Sequence, residues 1–181
     1  MSTAASIRTG AAGWWTPCSR EVRNIKPEYT KEWFSQQVHL CEKSLYRVTV
    51  SLLANQTDAE DAMQEALCTA YEKLNTLKEA EKFRPWLLKI ATNAAYDILR
   101  RRKRTVPLED TEPVYHDGTA EKLGLWMAVQ QLPPDYRSVV VLYYYEDLDL
   151  QSISRITGVP EATVKTRLFR ARQRLKALLA E

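Results

Sequence analysis

Glycine is scarce in this chain, with five in 181 residues, and histidine is scarcer, with two. Few glycines, few β-branched runs and abundant Ala, Leu, Glu, Lys and Arg speak against a sheet protein and for an all-α one. The three cysteines, Cys18, Cys41 and Cys68, are odd in number and form no CxxC pair. With only His39 and His116 beside them they make no zinc set, and they read as free thiols of a reducing compartment. No apolar run approaches the roughly 20 residues that span a bilayer. The opening "MSTAASIRTGAAGWWTPCSREVRNIK" lacks the apolar centre of a secretory signal. Residues 1–27 read as a disordered or loosely docked extension, or as the product of an upstream start site. Asp58, Glu60 and Asp61 are adjacent acids with no histidine or glycine-rich phosphate loop to join them, so the groups that nucleic-acid chemistry would need are missing. No catalytic residue, metal, cofactor or small-molecule substrate is expected.

Charge is present but segregated. The net charge is only +3, yet basic residues cluster at 100–104 and 165–176 while acids collect at 58–65 and 109–121. Such separation points to polyanion contact at particular faces rather than to general stickiness.

Helical periodicity organises most of the chain. Trp33, Phe34, Val38, Leu45, Val48 and Leu52 mark a first helix between Tyr29 and Leu53. In "NQTDAEDAMQEALCTAYEKL" a capping box is expected, Thr57 accepting from the amide of Glu60 and Glu60 reaching back. Met63, Ala66, Leu67, Ala70, Tyr71 and Leu74 are that helix's buried stripe. "NTLKEAEK" reads as a loop with room for a short helical turn. "FRPWLLKIATNAAYDILRRRKR" is a third helix, with Pro85 in its first turn and Trp86, Leu87, Ile90, Ala94 and Ile98 facing inward. "TVPLEDTEPVYHDGTAE" breaks all periodicity and is acidic, which makes it a linker. Beyond it, "KLGLWMAVQQL" is helical to Pro133, and "PDYRSVVVLYYYED" is a helix despite its β-branched run. The expected architecture is two small helical bundles joined by a flexible acidic linker.

"LQSISRITGVPEATVKTRLFRARQRL" carries the most specific signal. Leu148, Ile153, Ile156 and Val159 are apolar, Gly158 supplies a sharp turn, Ser154 is small, and Pro160 pre-sets the next helix. Together these describe a helix-turn-helix whose second helix enters the major groove. At 100° per residue, Val164, Leu168, Ala171, Leu175 and Leu178 fall on one inward stripe. Lys165, Thr166, Phe169 and Arg170 lie opposite, suited to base edges and a thymine methyl. Arg167, Arg172 and Arg174 flank the stripe, within reach of phosphates.

In order, these segments resemble the extracytoplasmic-function (ECF) group of bacterial RNA polymerase sigma factors, of the sigma-70 family. "DAEDAMQEAL…AYEKL" is similar to the part of region 2 that grips the clamp helices of the polymerase's largest subunit. "FRPWLLKIATNAAYDILRRRKR" is similar to the helix that recognises and melts the −10 element. "LPPDYRSVVVLYYYEDLDLQSISRITGVPEATVKTRLFRARQRL" is similar to region 4, which reads the −35 element. The resemblance spans residues 29–179 and implies region 2 at 28–104, a linker at 105–121 and region 4 at 122–181. It assigns polymerase binding to Asp61, Gln64 and Glu65, and the −10 strand to Asn93, Asp97, Arg100 and Arg101. It assigns −35 recognition to Lys165, Thr166, Phe169 and Arg170, in agreement with the helical projection. The loop at 75–82 would cradle a flipped base without an aromatic, and Phe83 and Trp86 suit either base stacking or burial. Thr157 and Asp149 stand where the family often has leucine and serine. The implied partners are core RNA polymerase (clamp helices of the largest subunit and flap of the second-largest), promoter DNA and a membrane-linked anti-sigma factor. The implied location is the cytoplasm, and the acidic linker would lie in a polymerase channel as a nucleic-acid mimic. Two other classes compete: a stand-alone operator-binding dimer, for which no sensor pocket or coiled coil is visible, and a nucleic-acid enzyme, whose groups are absent.

Overall fold

The structure, a computed structural model, describes residues 29–105 and 120–180. The expected extension at 1–27 and the body of the expected linker, 106–119, lie outside the described residues. Among the described residues there are helices and turns and no strand. The first three helices are α1 (Lys31–Leu53), α2 (Gln56–Glu72) and α3 (Phe83–Thr105).

Capping sets where they begin and end. Thr30 is extended and its hydroxyl accepts from the amide of Trp33 at 3.1 Å, opening α1. Ala54 closes α1 in the left-handed region, φ 50°, with its N–H on the carbonyl of Val50. That reversal delivers Asn55 in an extended conformation, and Asn55, not Thr57, caps α2 by accepting from the amide of Asp58 at 3.0 Å. The expected Thr57–Glu60 capping box therefore does not form. Thr57 is already inside the helix, and Glu60 accepts from the side chain of Gln56 at 2.9 Å. Asn caps at least as well as Thr, so the earlier start costs nothing.

The three helices bury Phe34, Val38, Leu45, Val48 and Leu52 of α1 against Met63, Ala66, Leu67 and Ala70 of α2 and Leu87 and Ala94 of α3. Trp33, Tyr71, Trp86, Ile90 and Ile98 are half-buried at its margin. Phe83 is buried, edge-on to Trp33 and Phe34 with centroids 5.3 and 5.7 Å away, which favours burial over base stacking for this ring. Between α2 and α3 the chain makes two short 3₁₀ turns, Leu74–Thr76 and Ala80–Lys82, pinned by buried Leu74 and Leu77. α3 also buries Leu88, Ala91, Thr92 and Ala95, more than one stripe, because it is covered by α1 and α2 on one side and by a later helix on another.

The second half is built from α4 (Ala120–Gln130), α5 (Pro134–Val140), α6 (Leu150–Thr157) and α7 (Glu161–Leu178). The β-branched run does stay helical. α5 widens into a π-turn at Val141–Tyr145, closed by the amide of Glu146 on the carbonyl of Val141 at 3.1 Å. Val139, Val140, Val141 and Leu142 are all buried, so packing overrides their weak helical propensity.

The two halves are not held apart. α1 packs on α5 and α3 on α6, and the buried apolar residues of both halves form one continuous cluster. Buried Arg137 of α5 reaches the carbonyl of Ser51 near the end of α1 at 2.6 Å, and its other donors serve Leu132 and Gln130. Burial pulls its pKa down to about 10. The hydroxyl of Tyr96 on α3 meets Ser138 at 3.2 Å and Asp135 at 3.3 Å, and burial holds its pKa above the ordinary value. Cys41 is buried and Cys68 half-buried. Among the described residues no three His, Cys, Asp or Glu side chains are grouped to hold a metal. No helix there is long and apolar enough to cross a membrane.

Candidate nucleic-acid and polymerase interfaces

α6 and α7 form the helix-turn-helix. Asp149 caps α6, its carboxylate accepting from the amide of Ser152 at 2.6 Å, and that bond holds its pKa below the usual carboxylate range. Gly158 ends α6 at φ 71°, a left-handed conformation that any side chain would strain even though no atom lies near an added Cβ. The hydroxyl of Ser154 donates to the carbonyl of Val159 at 2.6 Å and ties the turn shut. Ser154 thus acts as a hydrogen-bond donor as well as a small residue. Thr157 returns its hydroxyl to the carbonyl of Ile153 at 2.7 Å, so both residues that depart from the resemblance have a local bond.

α7 presents two chemically distinct sides. Val164, Leu168 and Ala171 are buried and Leu175 and Leu178 half-buried, the stripe expected from the sequence. Lys165, Thr166, Phe169 and Arg170 are exposed together on the other side. Phe169 is 58% exposed, although a phenyl ring gains nothing from water. Thr166 donates to the carbonyl of Ala162 at 2.9 Å, leaving its oxygen lone pairs available. Lys165 and Arg170 carry no side-chain partner among the described residues, so neither must abandon a bond to meet a ligand. The flanking arginines are tethered differently. Arg167 pairs with Asp135 at 2.9 Å, Arg172 donates to the carbonyl of Leu168 at 3.3 Å, and Arg174 lies over the Tyr136 ring at 5.3 Å.

The first half holds the other two sets of residues on α2 and α3. Asp61, Gln64 and Glu65 are exposed on α2. On α3, Asn93, Arg100 and Arg101 are exposed and Asp97 is half-buried. Glu65, Asp97, Arg100 and Arg101 line one open polar depression between the two helices, and Asp61, Gln64 and Asn93 stand outside it. Within it Arg101 pairs with Glu65 at 3.2 Å and Arg100 with Asp97. Arg102, which sequence reasoning left unassigned, pairs with Asp58 at the start of α2. Its signal was the third arginine of "RRRKR" standing opposite an acidic helix start. Arg100, Arg101 and Arg102 are thus each paired with an acid of their own bundle.

Comparison with known proteins places this geometry in a family. Residues 38–105 match the family model for sigma-70 region 2, and residues 122–175 match that for sigma-70 region 4. The chain is similar to the ECF RNA polymerase sigma factor SigM of Bacillus subtilis, 34% identical over 145 residues that cover 74% of this chain and 87% of SigM. It is also similar to SigW of the same organism, 31% identical over 181 residues that cover 90% of this chain and 96% of SigW. Among solved structures, it resembles the sigma factor RpoE of Bartonella quintana in complex with the anti-sigma factor NepR. The TM-score is 0.73 at 27% identity, covering 83% of this chain and 98% of that one. Sigma factors are initiation factors and not enzymes. Two consecutive family matches, the second on the helix-turn-helix, make this chain an ECF sigma factor of the sigma-70 family, with promoter-specific initiation by RNA polymerase as its function.

Proposed function

We propose that three exposed faces divide the work of initiation. Asp61, Gln64 and Glu65 on α2 dock on the polymerase clamp helices, where short acidic side chains fix register against a basic partner. Asn93, Asp97, Arg100 and Arg101 on α3 hold the opened −10 strand, Asn93 bonding a base edge and the arginines the backbone. Lys165, Thr166, Phe169 and Arg170 on α7 read the −35 duplex, with Arg167, Arg172 and Arg174 on its phosphates. Region 2 is proposed at 28–104 and region 4 at 122–181, with 105–121 between them in a polymerase channel. Strand separation then needs no bond chemistry, because binding energy for unpaired bases offsets the lost stacking. The single observation that carries the reading is the split character of α7: an apolar stripe buried in its own bundle and, opposite, an exposed face where Lys165 and Arg170, with no side-chain partner among the described residues, flank an exposed phenyl ring.

A membrane-linked anti-sigma factor is proposed as the partner that holds the protein in the cytoplasm until a signal arrives. The complex of a similar sigma factor with the anti-sigma factor NepR supports a partner of the anti-sigma class.

The assignment is tested by reconstituting core polymerase with alanine variants on templates bearing single base changes. Arg170→Ala is expected to relax selectivity at one −35 base pair, and Asn93→Ala to slow permanganate reactivity of −10 thymines while leaving −35 selectivity intact. Equal losses at every base from both variants would refute the division.

A further inference from the structure

α5 packs on α7 and supplies the seats of two of its arginines. Pro133 and Pro134 open α5, and the amides of Tyr136 and Arg137 both donate to the carbonyl of Pro133 at 2.9 Å. Proline fixes its own φ, so the backbone under Asp135 and Tyr136 is set before any duplex arrives. Asp135 pairs with Arg167 at 2.9 Å, and Tyr136 carries the guanidinium of Arg174 over its ring at 5.3 Å. Arg167 and Arg174 stand two turns apart on the same shoulder of α7, about 10 Å at ~1.5 Å per residue. Arg172, on the other shoulder, is held by the carbonyl of Leu168 in its own helix.

The two seats on α5 differ in chemistry. The N–H donors of a guanidinium all lie in its plane, and a ring against its flat face occupies none of them. Arg174 is exposed and has no carboxylate partner among the described residues, so it keeps its whole charge and every donor. The stack only restricts where they point. Asp135 acts otherwise, because its carboxylate takes one Nη of Arg167 and sets a full negative charge beside the positive one. The Arg167 side chain is 20% exposed against 55% for Asp135, so the anion is the more open member of the pair. Its second oxygen accepts from the Tyr96 hydroxyl at 3.3 Å, a neutral donor that leaves the charge in place.

We propose that Asp135 and Tyr136 are positioning residues of the −35 contact that tune two phosphate-facing arginines in opposite senses. Tyr136 seats Arg174 with its charge intact and its donors turned outward, while Asp135 orients Arg167 and cancels most of its net charge. This rests on the reading of α7 as the −35 helix. Phosphate contacts fix register and carry no base sequence, and their number sets how tightly any duplex is held. Asp135 thereby limits sequence-independent binding, and Tyr136 supplies a fixed cation for register.

The test uses holoenzyme reconstituted with the full chain and two duplexes: one bearing the −35 element recovered from a randomised library, the other with that element scrambled. Dissociation constants are measured across a range of potassium chloride concentrations. Arg174→Ala should flatten the log–log salt slope by about 0.9, the share of one phosphate contact. Tyr136→Leu should weaken binding about two- to fivefold at an unchanged slope, because the charge stays and only its seat is lost. Tyr136→Phe keeps a ring and should stay near wild type, and Tyr136→Leu should add nothing to Arg174→Ala. Asp135→Asn should act the other way, steepening the slope by up to about 0.9 and tightening matched and scrambled duplex alike. A Tyr136→Leu loss that is the same with or without Arg174 would mark a ring that only supports the fold and overturn the proposal. An Asp135→Asn slope no steeper than wild type would overturn it as well. No effect of Arg170→Ala or Arg174→Ala on either duplex would instead refute the −35 reading beneath it, and the proposal with that reading.

Discussion

The two basic surfaces of this protein are prepared in opposite ways. Toward the end of α3 three arginines are already matched: Arg100 with Asp97, Arg101 with Glu65 and Arg102 with Asp58. On α7, Lys165 and Arg170 face outward without side-chain partners among the described residues. Exposed ion pairs contribute only about 0–1 kcal/mol each, so the α3 cations are restrained rather than locked. The contrast fits the two substrates proposed for these faces. A duplex groove is rigid and rewards a face that is ready in advance, whereas an unpaired strand exists only after melting. Cations held by their own bundle until a strand appears bind stray duplex weakly.

The strongest way to break the comparison is to remove the support of the ready face. Leu168→Ala empties a buried position under α7 and should cost about 2–5 kcal/mol of stability, visible as a lowered thermal midpoint. Phe169→Ala, the neighbouring residue, should leave that midpoint unchanged while weakening promoter binding. Next in size is Arg170→Ala, expected to cost about 1–3 kcal/mol at one base pair of the duplex site, measured as discrimination between matched and mutated templates. Smaller is Arg101→Ala. It should lower the salt slope of single-strand binding by about 0.7 in log–log terms while changing affinity less than Arg170→Ala, because the wild-type side chain first gives up Glu65. Glu65→Gln sharpens the same point: strand binding by the isolated chain should improve slightly as Arg101 is released.

The smallest effect concerns pH. The carboxylate of Asp149 is held below its ordinary pKa by the Ser152 amide it accepts from. A depressed folded pKa means stability that is present above the unfolded value and lost as pH falls through the folded one. The difference in thermal midpoint between wild type and Asp149→Asn should therefore be full at neutral pH and shrink below about pH 4. A difference that grows in acid would contradict the capping role.

What the sequence made legible was whatever depends on neighbours in the chain. The α7 stripe, the Gly158 turn and the outward set from Lys165 to Arg170 all follow from periodicity and local backbone preference. Thr57 was a sound candidate cap by the same logic, but the left-handed Ala54 decided the register and no local pattern announced it. Long-range facts were hidden. Glu146 reads as one more acid after "YYY", and its partners Arg47 and Arg84 lie 99 and 62 residues away. The second buried face of α3 was equally invisible, since only the arrival of α6 explains why Leu88, Thr92 and Ala95 are covered. Pairing of Arg101 with Glu65 likewise joins residues 36 apart that were assigned to different tasks.

The central claim is that this chain selects promoters for RNA polymerase through two elements. Run-off transcription from a library of randomised promoters, with purified core polymerase and with or without this protein, tests it most directly. The account predicts transcripts that depend on the protein and share two sequence elements at fixed spacing, the upstream one altered by Arg170→Ala. No dependent transcript, together with sequence-specific duplex binding by the protein alone, would contradict it and identify an operator-binding regulator instead.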